Sequence, residues 1–421
     1  MSHRPALPAA LLSAAALVFV VCLVLVSSSS GDALPAPGRV DVTATPSASV
    51  SASALPTVSA SPSGTPTGPA YLDVSMSGRP LAANPGNPLA GGLWSVNTGY
   101  WDQGLFSAYT KATGSDQAYL AKSALRPRAL WFTLGNSGHS STAVANYIAT
   151  EQHGDPSVLV QMAIFGIWGY GGEDNRLKQP LTATEIADYQ AWIQSVSAQI
   201  GTARVAIILE PDLALAVKRR DLPKSQRTKG ARGRQLLAAY AAKTFHDHNP
   251  QAAVYLDAGD ADWLTIPQAT ALLQRSGIQY ARGFALGATH YSSTQDDIEH
   301  GAALVAALAR KGVTSHLVID TADNGRPFTY AQFYRRHPAT KGGFFDDSFP
   351  CRSQRATVCN ALGVPPTWKV TSTALSLTAA QRRTAARLVD GYLWFGRPWL
   401  KDQATPFVAK KAILAGKYSP F

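Results

Sequence analysis

Strand-length apolar runs alternate with helix-like segments from about residue 71 to the C-terminus of this chain. In the helix-like segments, apolar residues recur at every third or fourth position, which is typical of helices that bury one face. Short apolar runs that alternate with such helices are typical of βα units around a parallel sheet or barrel. The chain has 421 residues and 46% hydrophobic content, enough for one large core. We therefore predict a single barrel-like α/β domain.

The apolar pattern also predicts where the individual elements lie. The predicted strands are Gly92–Val96, Ala129–Leu134, Ser157–Phe165, Arg204–Leu209, Ala253–Leu256, Ala281–Leu286, His316–Ile319 and Tyr392–Phe395. The predicted crossover helices are Thr182–Ile200, Gln235–His248, Gln268–Ser276 and Ile298–Lys311.

Three of the predicted strands end in acidic residues. Glu210 and Asp212 follow one strand, Asp257 follows the next, and Asp320 follows a later one. The carboxyl ends of parallel strands meet at one edge of the sheet, which is where α/β enzymes carry their catalytic residues. Acids delivered to that edge by three strands indicate acid/base catalysis by carboxylates.

Asp212 is the predicted proton donor. A carboxyl group at the end of a buried strand, beside the second acid Glu210, should have a raised pKa through desolvation and like-charge repulsion. A raised pKa keeps the proton available for donation near neutral pH. The alternative is that Asp212 only caps a helix that begins at Leu213, a position where Asp is common.

Seven short motifs, taken in order, resemble those of glycoside hydrolase family 6, the inverting cellulases. The resemblance extends from Leu89 to the C-terminus. It implies a distorted TIM-like (β/α) barrel with parallel strands and crossover helices, and cleavage of β-1,4-glucosidic bonds in cellulose or a related β-glucan. The motifs are Asn87–Gly91, Ile208–Ala214, Val254–Gly259 with Trp263, Arg282–Ala285, Val318–Thr321, Val358–Asn360 and Leu388–Trp394.

The same resemblance implies roles for particular residues. Asp212 matches the general acid of the family, and Asp257 matches an acid that shapes the same site. Cys351 and Cys359 fall near a family disulfide. Their spacing in a loop with Pro and Gly also suits a small disulfide formed in an oxidising compartment. We predict no metal site and no cofactor, because no other Cys and no paired His stand at ligand spacing.

The chain departs from the family pattern at several catalytic positions. The second aspartate of the family is missing after the strand that ends at Phe165, where Trp168 is nearest. Glu173 or Asp174 replaces it only if their loop folds back. Asp402 lies at about the matching distance after Trp394 and is the candidate base.

Several aromatic residues near strand ends are candidates for stacking on sugar rings, since the apolar faces of sugars pack on indole. Packing in the core is the alternative for each, and we prefer it for Trp394. Trp101 is evenly balanced between the two. The predicted substrate-binding residues are Trp94, Trp168, Trp263, His290 and Trp399.

The N-terminal part of the chain differs in composition from the predicted domain. Residues 1–28 contain a long apolar stretch and are either a signal peptide or an N-terminal membrane anchor. Residues 29–70 are rich in Ser, Thr, Pro and Ala and are predicted to be a disordered linker, so that residues 71–421 form the catalytic domain. We therefore expect an extracellular protein, secreted or tethered, that meets the membrane only through its N-terminal segment.

The net charge of +11 raises the question of an anionic partner. No nucleic-acid motif is present, so we expect no nucleic-acid binding. Lys218–Arg234 carries eight cations and one acid, and forms either a solvated surface or a site for an anionic cell-wall polymer. The predicted insert Asp323–Thr357 is also basic and is a candidate roof of the cleft. We expect a monomer that acts on a polysaccharide. The alternatives are a catalytically degenerate polysaccharide-binding protein of the cell envelope, and an enzyme for another β-glycan.

Overall fold

The structure is a computed structural model of the chain, and it describes residues 86–98, 104–134, 143–168, 180–217, 230–337, 345, 349–373 and 375–421. Several predictions lie outside these residues: the N-terminal segment 1–28, the linker 29–70, Trp101, Glu173, Asp174 and most of the basic run Lys218–Arg234. Within the described ranges, no helix has both the length and the apolar character needed to cross a bilayer.

Seven parallel strands form one sheet in this part of the chain, with spatial order equal to sequence order. The strands are β1 (Leu130–Thr133), β2 (Val160–Phe165), β3 (Val205–Leu209), β4 (Ala252–Asp257), β5 (Gly283–Leu286), β6 (His316–Asp320) and β7 (Val389–Leu393). The sheet curls so that its first and last strands approach each other. The backbone N–H of Ala129, just before β1, donates to the carbonyl of Trp394, just after β7, at 2.8 Å. The predicted α/β barrel-like fold is confirmed.

The helices accompany the strands along the chain. They are α1 (Leu105–Lys111), α2 (Gly114–Ala124), α3 (Val144–Gln152), α4 (Ala183–Ile200), α5 (Ala231–His248), α6 (Ile266–Arg275), α7 (Thr294–Ala309), α8 (Tyr330–Arg336), α9 (Ala379–Leu388) and α10 (Ala409–Lys417). Reciprocal capping boxes begin several of them, for example Thr182 with Glu185 at α4 and Thr265 with Gln268 at α6. The four predicted helices are therefore present, with ends shifted by a few residues.

Side chains of each strand alternate between two buried layers. Val160, Met162 and Ile164 of β2 belong to the large core that contains helix residues, whereas Leu159 and Ala163 belong to a second cluster on the other face. That inner cluster combines large rings with small residues, which leaves room for the rings within the curve of the sheet. Its members include Trp94, Trp131, Ala163, Ala206, Ala253, Tyr255, Ala285 and Phe395.

Two predicted strands differ from the observed ones. Gly92–Val96 is not a strand and forms only a single parallel bridge, from Trp94 to Leu159. Gly91 and Gly92 precede it with positive φ, and Trp94 turns into the inner cluster. The last strand begins at Val389 rather than Tyr392 because Asp390 is stabilised inside the sheet. Its buried carboxylate accepts hydrogen bonds from Arg282 at 2.8 and 3.0 Å and from the Tyr255 hydroxyl at 2.7 Å.

Candidate active site

The chain makes a sharp turn at the end of β3. Glu210 and Asp212 both have left-handed backbone conformations, with φ of 57° and 68°, on either side of Pro211. Such angles are uncommon for non-glycine residues and persist where surrounding contacts hold them. The Leu213 N–H closes the turn by donating to the Glu210 carbonyl at 2.9 Å. Asp212 is left half-buried at the sheet edge.

A short 3₁₀ helix, Leu213–Ala216, follows this turn. The side chain of Asp212 makes no capping hydrogen bond to it. Asp212 therefore occupies the N-cap position without capping the helix through its side chain.

Glu210 joins the end of β3 to the end of β2. Its fully buried carboxylate accepts hydrogen bonds from the N–H groups of Gly166 at 2.8 Å and Ile167 at 3.0 Å, and from the Tyr189 hydroxyl at 2.7 Å. Burial raises the pKa of Glu210 to about 7, while the three hydrogen bonds oppose that rise. Glu210 thus holds the neighbouring turn in place.

Asp257 holds the 3₁₀ helix that follows Asp212. One carboxylate oxygen accepts from the Ala214 N–H and the other from the Gly259 N–H, both at 3.1 Å. Burial raises the pKa of Asp257 to about 6, and the backbone hydrogen bonds and the charge of His290 lower it. Asp257 therefore contacts the Asp212 loop through its backbone, two residues beyond the predicted acid.

Asp260, three residues after Asp257, and Asp297 of α7 form a pair of buried carboxyl groups joined by Ser292. The Ser292 hydroxyl lies 3.1 Å from Asp260 and 2.8 Å from Asp297. Burial raises the pKa of Asp260 to about 7, and burial together with the charge of Asp260 raises the pKa of Asp297 well above its usual range. The Ser292 hydroxyl thus joins two buried carboxyl groups whose raised pKa values favour their protonated forms.

Asp320, the third acid expected from the sequence, connects three loops at this edge. It accepts hydrogen bonds from four backbone N–H groups, those of Thr289 (3.1 Å), Ala322 (3.0 Å), Phe395 (3.4 Å) and Gly396 (2.6 Å). Burial raises its pKa to about 7. With both oxygens engaged, Asp320 supports the rim of the site.

Asp323 was not singled out by the sequence reading as a site residue. It is buried beside Asp320 and accepts from the Asn360 side-chain amide at 2.6 Å. Burial and the charge of Asp320 raise the pKa of Asp323 well above its usual range. The available signal was its position three residues after the end of a strand.

Asp402, the candidate base, is exposed on the turn Lys401–Gln403, in which Gln403 is buried. The next residue, Gln403, anchors this turn: its amide N–H donates to the Thr289 carbonyl, and its amide oxygen accepts from the Arg397 N–H at 2.8 Å. The turn is thereby tied to the loops after β5 and β7. The role of Asp402 as the base stays a prediction.

The predicted sugar-binding aromatics fall into two groups. Trp94, Trp168 and Trp399 are buried, at 5%, 0% and 3% exposure, and their stacking on a sugar stays a prediction. Trp94 donates to the Leu89 carbonyl at 3.0 Å, and Trp168 packs under the Arg234 guanidinium. These contacts fit core packing, the alternative interpretation of Trp94 and Trp168.

The aromatic group beside the Asp212 loop consists of Trp263 and His290. Trp263 is partly exposed and lies so close to Gly259 that a Cβ there would be 3.0 Å from its ring. His290 is buried, with ring centroids 4.5 Å from Trp263 and 4.9 Å from Phe345. Sugar contact by His290 stays a prediction, and Trp263 is the more exposed of the two rings.

The predicted disulfide between Cys351 and Cys359 is present. It closes a short loop beside the strand-like bridge between Pro350 and Asn360. Among the described residues, no group of three or more His, Cys, Asp or Glu side chains is arranged to hold a metal ion.

Comparison with known proteins adds a family to this geometry. The model of glycosyl hydrolases family 6 matches residues 96–376. Endoglucanase A of Cellulomonas fimi is 32% identical over 224 residues, which are 52% of this chain and 44% of that protein. Endoglucanase 1 of Streptomyces halstedii is 27% identical over 222 residues, which are 52% of this chain and 65% of that protein. The chain thus spans less than two thirds of either relative.

Solved structures of the same family are also similar. The endoglucanase Cel6 of Mycobacterium tuberculosis, in complex with a thio-linked cellobioside, is 27% identical with a TM-score of 0.57, covering 80% of this chain and 100% of that chain. The catalytic core of the cellobiohydrolase Cel6A from Chaetomium thermophilum has a TM-score of 0.58 at 17% identity, covering 80% and 99%, and supports the fold alone. The resemblance carried by the seven motifs is confirmed.

Proposed function

Because the chain belongs to glycosyl hydrolase family 6, we propose that it hydrolyses β-1,4-glucosidic bonds in cellulose or a related β-glucan, with inversion at the anomeric carbon. The observation that carries the proposal is the turn at Asp212. It is half-buried, set in a left-handed conformation, and held by the buried carboxylate of Asp257 through the Ala214 N–H.

In this mechanism Asp212 gives its proton to the bridging oxygen as the bond from that oxygen to the anomeric carbon breaks. A water molecule attacks the same carbon from the opposite face, and a base takes the proton of that water. The mechanism requires Asp212 to be protonated when the substrate binds. Asp402 is the proposed base, because it is exposed on a turn anchored to the same rim.

Trp263 would hold the substrate beside the acid. Its ring is partly exposed and packs close to Gly259, whose N–H is bonded to Asp257. An indole face at this point would pack on the apolar face of a glucose unit next to the bond being cleaved. The same contact links the sugar platform to the residue that fixes the acid loop.

The test combines mutation with product stereochemistry. Asp212→Asn should lower kcat on a soluble β-1,4-glucan by about 10²- to 10⁴-fold, the usual contribution of a general acid. Asp247→Asn, which removes an exposed carboxylate of α5 paired only with Lys243, is the control and should leave kcat unchanged. NMR of fresh product should show the α-anomer first; an initial β-anomer, or full activity in Asp212→Asn, refutes the proposal.

A second candidate function is polysaccharide binding without turnover. The observation in its favour is the turn after β2, where Gly166 is packed so tightly that a Cβ would lie 2.8 Å from Trp192, and where Trp168 is buried. Residues 165–168 therefore present no carboxylate where the family has its second aspartate. Calorimetry with cellohexaose separates the two functions: binding that survives in Asp212→Asn, with no reducing ends ever formed by the unmodified protein, favours the second.

We also propose that the protein acts outside the cytoplasm, secreted or tethered by its first 28 residues. The apolar N-terminal stretch and the disulfide Cys351–Cys359 support this location, since disulfides persist in oxidising compartments. Fractionation of producing cells tests it, and protein found only in the cytosol with reduced cysteines contradicts it.

A further inference from the structure

A groove of about 550 Å³ lies beside α8, away from the Asp212 turn. One wall is α8, which contributes Gln332, Arg335 and Arg336, and the opposite wall is the disulfide loop, which contributes Thr357 and Val358. The floor includes Phe328, which belongs to the aromatic cluster on which Trp263 also packs. The groove and the candidate active site are therefore built on one cluster.

Positive charge lies in the groove and in the loop beside it. Arg335 and Arg336 of α8 line the groove, and Arg352 and Arg355 belong to the disulfide loop that contributes Thr357 and Val358; all four are exposed. In the part of the chain that the structure describes, none of these four guanidinium groups has a hydrogen bond or an ion pair. Residues 324–373 contain seven Lys and Arg against two Asp, so the segment as a whole repels cations. Guanidinium groups bind carboxylate and phosphate oxygens through paired N–H donors.

Both walls are rigid before any ligand arrives. The disulfide closes the loop, and the Cys351 N–H donates to the Asn360 carbonyl at 2.9 Å. Arg326 donates to the Gln354 side chain at 2.9 Å, which ties that loop to the residues before α8. A capping box of Thr329 with Gln332 fixes the start of α8. A preformed groove loses less conformational entropy when it binds.

Exposed aromatic rings accompany the cations. Tyr330 is 49% exposed and lies 4.6 Å from Tyr334, and Phe349 is 50% exposed and lies 6.1 Å from His337. Large exposed rings are typical of surfaces that bind the apolar faces of sugars. Rings together with unpaired arginines indicate a ligand that has both sugar faces and negative charges.

We propose that this groove binds a polysaccharide whose sugar units carry carboxylate groups, at a site separate from the Asp212 turn. We choose a glycan among the possible polyanions because of the proposed glycosidase function. The groove and its positive charge are observed independently of that function. Bound there, an acidic chain is held by the arginines while its neutral neighbours remain available to Trp263 and Asp212.

Binding is measured by affinity electrophoresis in gels that contain carboxymethyl cellulose or, as the neutral comparison, hydroxyethyl cellulose. The full chain carries Asp212→Asn throughout, so that the polymer stays intact. In low salt, Arg335→Gln with Arg336→Gln should weaken binding to carboxymethyl cellulose about 5- to 30-fold, the effect of removing two exposed charge pairs. Retention by hydroxyethyl cellulose should not change, and 0.5 M NaCl should abolish the difference.

Arg383→Gln with Arg387→Gln is the matched control, because both residues are exposed on α9 and the net charge changes equally. Unchanged binding in the α8 variant, equal weakening in the control, or weakening that extends to the neutral polymer each overturns the proposal. Hydrolysis of hydroxyethyl cellulose by the unmodified protein is assayed separately. Failure of that hydrolysis refutes the glycosidase function alone. Retention by carboxymethyl cellulose that is the same with and without Arg335 and Arg336 refutes the groove alone.

Discussion

Replacing Asp257 with Asn should raise the relative stability of the protein as the pH increases, while its relative kcat falls. In the folded protein this buried carboxylate accepts two backbone N–H groups, at 3.1 Å each, from Ala214 and Gly259. Asn keeps one oxygen, but its amide group then faces an N–H donor. A buried donor left without an acceptor costs about 1–3 kcal/mol. The hydrogen bond most at risk is the one to Ala214, which holds the loop that carries Asp212.

The pKa of Asp257 gives the sign of the pH dependence. Burial raises it from 3.8 to about 6, so the folded protein binds this proton more tightly than the unfolded chain does. The stabilisation is therefore complete below the unfolded pKa and is lost as the pH rises through about 6. The loss between pH 4 and pH 7 is about 2–3 kcal/mol. Asn does not titrate, so the variant lacks this loss.

We therefore expect Asp257→Asn to gain about 2–3 kcal/mol relative to the unmodified protein between pH 4 and pH 7. Over the same range its relative kcat should fall, since only the ionised carboxylate accepts both N–H groups. Urea unfolding at a series of pH values gives the first quantity and hydrolysis of a soluble β-glucan gives the second. Asp116→Asn, an exposed change at the start of α2, is the control. A free-energy difference that does not vary with pH, or unchanged kcat at pH 7, refutes this reasoning.

Three further predictions concern buried carboxyl groups, a tightly packed glycine and two tryptophans. Burial raises the pKa values of Glu151, Glu210, Asp260 and Asp320 to about 7, so urea midpoints should be higher at pH 5 than at pH 8, and a midpoint that rises with pH contradicts this. Gly396→Ala should destabilise the fold by about 1–3 kcal/mol or more, because its Cβ would lie 1.9 Å from Asp323 and 3.0 Å from Asp320; Gly233→Ala, with nothing within 4 Å in a helix, should not. Trp263→Ala should raise KM for a glucan with little change in the free energy of unfolding. Trp168→Ala should lower the free energy of unfolding by about 3–5 kcal/mol, because the buried ring leaves a cavity. The reverse pattern would contradict the burial of Trp168.

The strands were predictable because each is buried on both faces. Runs such as Val205–Leu209 contain no polar residue, and such runs flanked by helices leave little choice but a covered parallel sheet. The exception is instructive, since Gly92–Val96 is also largely apolar but packs as irregular chain inside the curve of the sheet. Apolar character predicts burial, and it does not distinguish a strand from a buried loop.

The sequence predicted where in the fold the candidate site lies, but not which contacts its side chains make. The position of Asp212 and Asp257 after successive parallel strands follows from the chain alone. Loop conformations decide the contacts of these acids. Asp257 accepts from the Ala214 N–H, Glu210 accepts from the turn after β2, and both oxygens of Asp320 accept from backbone N–H groups. The tryptophans show the same limit, because Trp168 and Trp263 look alike in sequence but differ in burial.

Sequence by itself determined the α/β class, the order of the parallel strands, the family and the edge that carries the acids, since all of these depend on local periodicity and chain direction. Tertiary structure alone decided which acids are engaged by backbone N–H groups, which rings are open to solvent, and that α8 and the disulfide loop face each other across a basic groove. The physical reason is that burial and hydrogen bonding in loops come from segments far apart in the chain. Residues 210 and 166, or 320 and 396, meet only when neighbouring strands pair and the loops after them fold back.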